Sequence, residues 1–195
     1  ILRISAHIYE KFFIIFAVVG VAFLLPSKAE AQTKAFKEKY KQITHNIETQ
    51  PNHQFKEIEA TLFSGDVLRS LTPKERQDDN NSLTKRIHCI YQLKMPISRS
   101  TNVIAHNEYM SIRNIVNSKD YTMVSRITID NDTYEVFQSS QSRPQEFMVI
   151  ISNKEKAVIC DIVGFISLPD ILNLIDPKVK AKINENVIDS LNIEN

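Results

Sequence analysis

The segment Tyr121–Ile166 leaves the fold little freedom. Tyr121 to Ile129 is rich in β-forming residues, with Met123, Val124, Ile127 and Ile129. Asp130-Asn131-Asp132 reads as a turn, and Thr133 to Gln138 returns as a second strand. A polar loop, Ser139 to Gln145, contains Pro144. Phe147 to Ile151 (FMVII) is a continuous apolar strand, Asn153 to Lys156 (NKEK) a turn, and Ala157 to Ile166 the next strand. Such short connections join antiparallel neighbours, because a parallel pair needs a long crossover. The segment therefore predicts a four-strand antiparallel meander. Its last two strands are apolar at both parities, which marks strands that are central or covered on both faces.

Helical periodicity flanks this sheet. Phe36, Tyr40, Ile43 and Ile47 recur at three- and four-residue spacing, predicting a helix over Ala35–Thr49 that Pro51 ends. Phe55 to Phe63 reads as a strand or the approach to a helix. Ser64-Gly65-Asp66 is a cap signal, and Val67, Leu68 and Leu71 follow as a short helix. Lys74 to Ser82 is polar throughout and predicts an exposed loop. Thr84 to Met95 alternates as a strand, with Ile87, Cys89, Tyr91 and Leu93 on one face. Thr101 to Asn117 predicts a helix whose apolar stripe draws on Val103, Ile104, Tyr109, Met110, Ile112, Ile115 and Val116. Ser167 is placed to cap a helix, with Asp170 three residues on and Pro169 in the first turn. Asp176-Pro177 restarts a last helix through Val179, Ile183 and Val187. The fold class expected is α+β, an antiparallel sheet with helices packed on one face.

The N-terminus reads as an address. Arg3 and Lys11 precede Phe12–Leu25, an uninterrupted apolar run of 14 residues. A spanning helix needs about 20. Pro26 ends the run, and Ala29-Glu30-Ala31 offers small residues where a signal peptidase reads them. The reading is a signal peptide over residues 1–31 and one domain over 32–195, exported, periplasmic or secreted, soluble and without a membrane span after cleavage. Of the chain's 24 basic and 23 acidic residues, cleavage removes three and two, leaving 21 of each.

That neutrality argues against nucleic acid as a partner. Three glycines cannot supply the phosphate loops of dinucleotide folds or P-loop enzymes. The five histidines include no i,i+4 pair with a glutamate of the helical zinc type, so His45, His53, His88 and His106 read as surface or structural residues. Neither a metal nor another cofactor is expected. Cys89 and Cys160, the only thiols, each sit mid-strand among apolar neighbours. An oxidising compartment permits a bond between them. The strand positions favour two buried thiols instead, since few strand pairs bring Cβ atoms close enough.

Asp161 is the odd residue of its strand, between Cys160 and Ile162. Buried, it would need a partner and would serve as a general-acid candidate. The plainer expectation is a face meeting solvent or a basic residue at a sheet edge. Ser64 lacks the G-x-S-x-G elbow and reads as a cap. Gly164 is expected to permit a bulge or close packing where its strand ends. The sequons Asn80-Asn81-Ser82 and Asn131-Asp132-Thr133 read as incidental loop chemistry.

The strand pair Met123–Ile129 and Thr133–Phe137, then FMVII, NKEK and AVICDIVGFISLPDILNLI, resembles the small exported domains of Bacteroidetes grouped as the DUF4252 family. There a hydrophobic strand runs into a glycine, an apolar residue and a capped helix. Val158–Val163, Gly164, Ile166-Ser167-Leu168 and Asp170–Leu174 stand in those places here. Glu57–Leu71 resembles the family's first strand and helix, while Thr72–Ser82 and Ser98–Asn107 depart from it. The resemblance spans residues 35–176 and implies a periplasmic or surface location and an α+β fold. The family has no established activity, so it contributes no catalytic residue.

The functional expectation is a non-catalytic binding or scaffolding domain of the cell envelope, its partner an envelope protein or an apolar ligand. The alternatives are a small periplasmic hydrolase centred on Asp161 and a carrier of an apolar small molecule.

Overall fold

The computed structural model describes residues 33–50, 55–70, 82–140 and 144–175. The expected leader 1–31, most of the polar Lys74–Ser82 stretch, His53 and the helix after Asp176 lie outside these residues. The elements are α1 (Lys34–Thr49), β1 (Glu59–Ser64), α2 (Gly65–Ser70), α3 (Leu83–Arg86), β2 (Ile87–Pro96), α4 (Val103–Val116), β3 (Tyr121–Ile129), β4 (Asp132–Ser139), β5 (Gln145–Ser152), β6 (Lys156–Gly164) and α5 (Leu168–Ile175).

The predicted meander is β3 to β6. Asp130 makes its first turn possible by adopting φ 55°, a left-handed conformation that Asp tolerates better than most residues. The sheet then grows past the meander, in the order β1-β2-β6-β5-β4-β3, with every neighbouring pair antiparallel. This α+β arrangement makes β5 and β6 its central strands, which is why both are apolar at both parities. Every residue from Glu146 to Ile151 and from Ala157 to Gly164 is buried.

Both faces of such strands must be covered. On one face Phe36 and Ile43 of α1 and Ile112 and Val116 of α4 pack over Met148, Ile150 and Ile159. On the other, Ile171 and Ile175 of α5 and Leu68 of α2 meet Val149, Cys160 and Ile162. Helices on one face alone thus holds for the two long helices and not for the short ones. The reason is energetic: each large apolar side chain left in water forgoes about 1.5–3 kcal/mol, and β5 and β6 carry them on both sides.

Two local readings change. Val103 and Met110 are 44% exposed and stand outside the α4 stripe, which is Ala105, Ile112 and Val116. A two-residue offset turns a helix by about 200°, so Val103 and Met110 point away from Ala105 and Ile112. The expected strand from Thr84 begins instead at Ile87, after the helical turn of α3. A register shift between Ile87 and Cys89 follows, so Ile87 joins the α5 face while Cys89 lies with Tyr91 and Val163. A bulge of this kind flips every side chain before it to the opposite face.

Candidate functional site

The site begins with the β5–β6 turn. Asn153 Oδ1 accepts from the backbone N–H of Glu155 (2.9 Å) and Lys156 (3.0 Å), closing the hairpin. The register that follows pairs Met148 with Asp161 and Glu146 with Val163. Glu146 and Asp161 are therefore diagonal neighbours on the α1/α4 face, and each is 0% exposed. Asp161 does not meet solvent, and its strand is not an edge: β2 flanks it on the other side, placing Tyr91 opposite Asp161. One chemical partner of Asp161 is a second acid. Its carboxyl lies within hydrogen-bonding reach of Glu146.

Glu146 gathers donors from three further groups. The Thr33 backbone N–H donates to Oε2 at 2.7 Å, and the Thr33 hydroxyl donates to the same oxygen at 2.9 Å. The Tyr121 hydroxyl donates to Oε1. Thr33, 3% exposed, is the residue that starts α1, and its hydroxyl also stands 3.5 Å from that of Ser139 on β4. The first turn of α1 has no acidic residue, and the side chain of its N-cap, Thr33, does not cap the helix's own N–H groups. The negative charge that a helix N-terminus favours is instead supplied by the sheet, through Glu146. Further along α1, Tyr40 meets Tyr91 edge-on at 5.0 Å, and Lys39 pairs with Glu108 of α4. These contacts lay α1 across the pair.

Burial pushes the Glu146 carboxyl above its usual range, against the hydrogen bonds it accepts. Two carboxyls in contact repel when both are charged, so a proton held between them is the arrangement that this burial favours. The same burial, with the charges of Asp161 and Glu146, pushes the Tyr121 hydroxyl up and keeps it a donor. Cys89, whose thiol receives a hydrogen bond from Tyr91, is pushed up to about 12 by burial and then by Asp161, with Lys37 acting the other way.

The other sequence-predicted groups do not converge here. Cys160 faces the α5 side while Cys89 faces the α1 side, and both thiols are free. His45 is exposed on α1; His106 on α4 places Nδ1 2.8 Å from the Ile97 carbonyl; His88 stacks edge-on with Phe165 at 5.0 Å. Among the described residues, no three or more His, Cys, Asp or Glu are placed to hold a metal ion. Ser64 caps α2, its Oγ 3.4 Å from the Val67 N–H. Sequence reasoning missed Glu146, Thr33 and Tyr121. Counting back from the Asn153 turn would have placed Glu146 beside Asp161, since hairpin register follows from the turn.

Asp170 closes a second polar arrangement, which is structural. It accepts from Ser167 N–H (2.8 Å) and Oγ (2.7 Å), as the predicted cap requires, and receives a two-pronged contact from Arg86 at 2.7 and 2.9 Å.

Comparison with known proteins gave no match: no family model, no curated protein and no solved structure is significantly similar to this chain. Among the described residues no helix is long and apolar enough to cross a membrane.

Proposed function

We propose that this chain is an exported, non-catalytic domain that binds or scaffolds a partner in the cell envelope. The observation that carries the reading is the sealing of Asp161 and Glu146, each 0% exposed beneath α1. A catalytic carboxyl must touch its substrate, whereas this pair touches Thr33 and Tyr121 and serves the packing of α1 on the sheet. Support for the location comes from the leader pattern of residues 1–31 and from the resemblance of Val158–Leu174 to the DUF4252 family. Exposed apolar side chains such as Phe165 (61%) and Leu62 (52%) are the kind of surface a binding protein offers.

The test sets the purified protein and Asp161→Asn against ester, peptide, glycoside and phosphate substrates. Neither is expected to turn any of them over. Turnover by the native protein that Asp161→Asn abolishes would overturn the reading in favour of a hydrolase. Native mass spectrometry of the same preparation addresses the carrier alternative: a stoichiometric apolar small molecule would favour it. For the location, N-terminal sequencing of the secreted form is expected to start at Gln32.

A further inference from the structure

We propose that removal of the leader supplies Glu146 with its counter-ion: in a chain cut after Ala31, the new α-ammonium of Gln32 pairs with the buried Glu146 carboxylate. The inference rests on the export reading, through the cut expected at Ala29-Glu30-Ala31, and gives that cut a structural consequence. Its geometric basis is Thr33, whose backbone N–H donates to Glu146 Oε2 at 2.7 Å and ties the chain to this oxygen. Successive backbone nitrogens are joined through N–Cα, Cα–C and C–N bonds, which keep them within about 4 Å of each other. In the processed chain the terminal nitrogen therefore stands within roughly 7 Å of Oε2 in any conformation.

Glu146 is where a cation has most to offer. It has no exposed surface, and both of its oxygens accept hydrogen bonds, from the Thr33 N–H, the Thr33 hydroxyl and the Tyr121 hydroxyl. Accepting at both oxygens favours the carboxylate form. Every one of those donors is neutral, and among the described residues Glu146 takes part in no ion pair. A buried charge met only by neutral donors keeps much of its desolvation cost, and a cation a few ångströms away offsets it. Before the cut, the nitrogen of residue 32 is a neutral amide. A signal peptidase hydrolyses the Ala31–Gln32 bond: water adds its hydroxyl to the Ala31 carbonyl carbon, and the nitrogen leaves as an amine. That amine takes up a proton at neutral pH and becomes the ammonium.

The other ionisable groups around α1 are the same whether or not the terminal amine is blocked. Lys37 of α1 bears on Cys89 of β2, Lys39 is engaged with Glu108 of α4, and Arg113 of α4 with Glu135 of β4. Asp161 of β6, Tyr91 of β2 and Tyr121 of β3 complete the groups on this face. A difference between a free and a blocked terminus therefore reads the ammonium alone. An ammonium beside a carboxylate holds its proton more tightly in the folded state than in the unfolded one. Its contribution to stability is full below the unfolded value of about 8 and is lost as pH rises through the folded value.

The experiment takes the secreted form, with its first residue fixed by sequencing and its free amine verified by intact mass. A portion is acetylated at the α-amine in denaturant near neutral pH, where the lysines stay protonated, and is refolded. At about pH 7 the unfolding constant of the free-amine form is expected to be roughly tenfold or more below that of the acetylated form, as a one-unit rise in the amine's pKa requires. The gap is expected to close as pH rises past the folded value. Glu146→Gln still accepts from Thr33 but carries no charge, so it is expected to make the two forms equal. If that variant or the acetylated form does not fold, the Gln32 amine of the unmodified protein is titrated by NMR, and a value at least about one unit above 8 is expected. Equal stability of the two forms, a gap that survives in folded Glu146→Gln, an ordinary amine titration, or a Gln32 already cyclised with loss of ammonia would overturn the pairing and leave the export reading standing. A secreted form that begins at another residue would overturn the cut itself, and the proposal with it.

Discussion

Gly164 and the Arg86 carbonyl are so close that a Cβ on Gly164 would lie 2.3 Å from that oxygen. The next residue uses the same acceptor, with Phe165 N–H donating to Arg86 O at 2.9 Å. This contact ends β6 beside the bulge that begins β2. Gly164→Ala must push two backbones apart, and it is expected to destabilise the protein by about 1–3 kcal/mol. Denaturant unfolding checks this; a variant as stable as the parent would show that the contact is loose.

Asp170 is held down to about 2, first by the hydrogen bonds from Arg86 and then by those from Ser167, with burial opposing them. Its folded value lies below the unfolded one, so its stabilising contribution is present above the ordinary carboxylate range and is lost as pH falls through about 2. Arg86→Lys keeps the charge but loses the fork that meets both oxygens. The Asp170 titration, followed by carboxyl NMR, is expected to move up toward the ordinary range in that variant. An unchanged midpoint would remove Arg86 as the cause.

Burial raises both thiols, Cys89 and Cys160, to about 12. A disulfide reagent at neutral pH is expected to label neither in the folded protein and both in denaturant. Rapid labelling of either one without denaturant would contradict the burial, and a thermal midpoint that drops with reductant would contradict their free state.

The Tyr121 hydroxyl donates to a carboxyl that has no solvent contact. Tyr121→Phe removes the donor and little volume. A loss of about 1–3 kcal/mol is expected, the range for stranding a buried polar partner, with more for a charged one. A neutral substitution would mean that Glu146 needs no donor on that side.

The meander was legible because its signals are local. Turn residues at Asp130–Asp132 and Asn153–Lys156 and a capped helix at Ser167 each act within a few residues. The same holds for the α1 stripe, where Phe36, Tyr40 and Ile43 are the buried residues. What sequence could not supply was joined across distance. Glu146 meets Thr33 from 113 positions away, and no local pattern announces that a polar residue at a strand start will cap a helix so remote in the chain. The two-sided covering was implied by FMVII and AVICDIV, yet the short α5 and α2 gave little helical signal for the second face. At Ile87 a bulge broke the parity on which the strand reading rested.

The central claim is that Glu146 and Asp161 form a sealed pair sharing one proton. Infrared spectroscopy of the folded protein, with labelled Asp and Glu carboxyls, sees that proton directly. The account predicts a protonated-carboxyl band at a pH where ordinary carboxyls are fully ionised, and predicts its loss in both Glu146→Gln and Asp161→Asn. A spectrum with only ionised carboxylates under those conditions would contradict it.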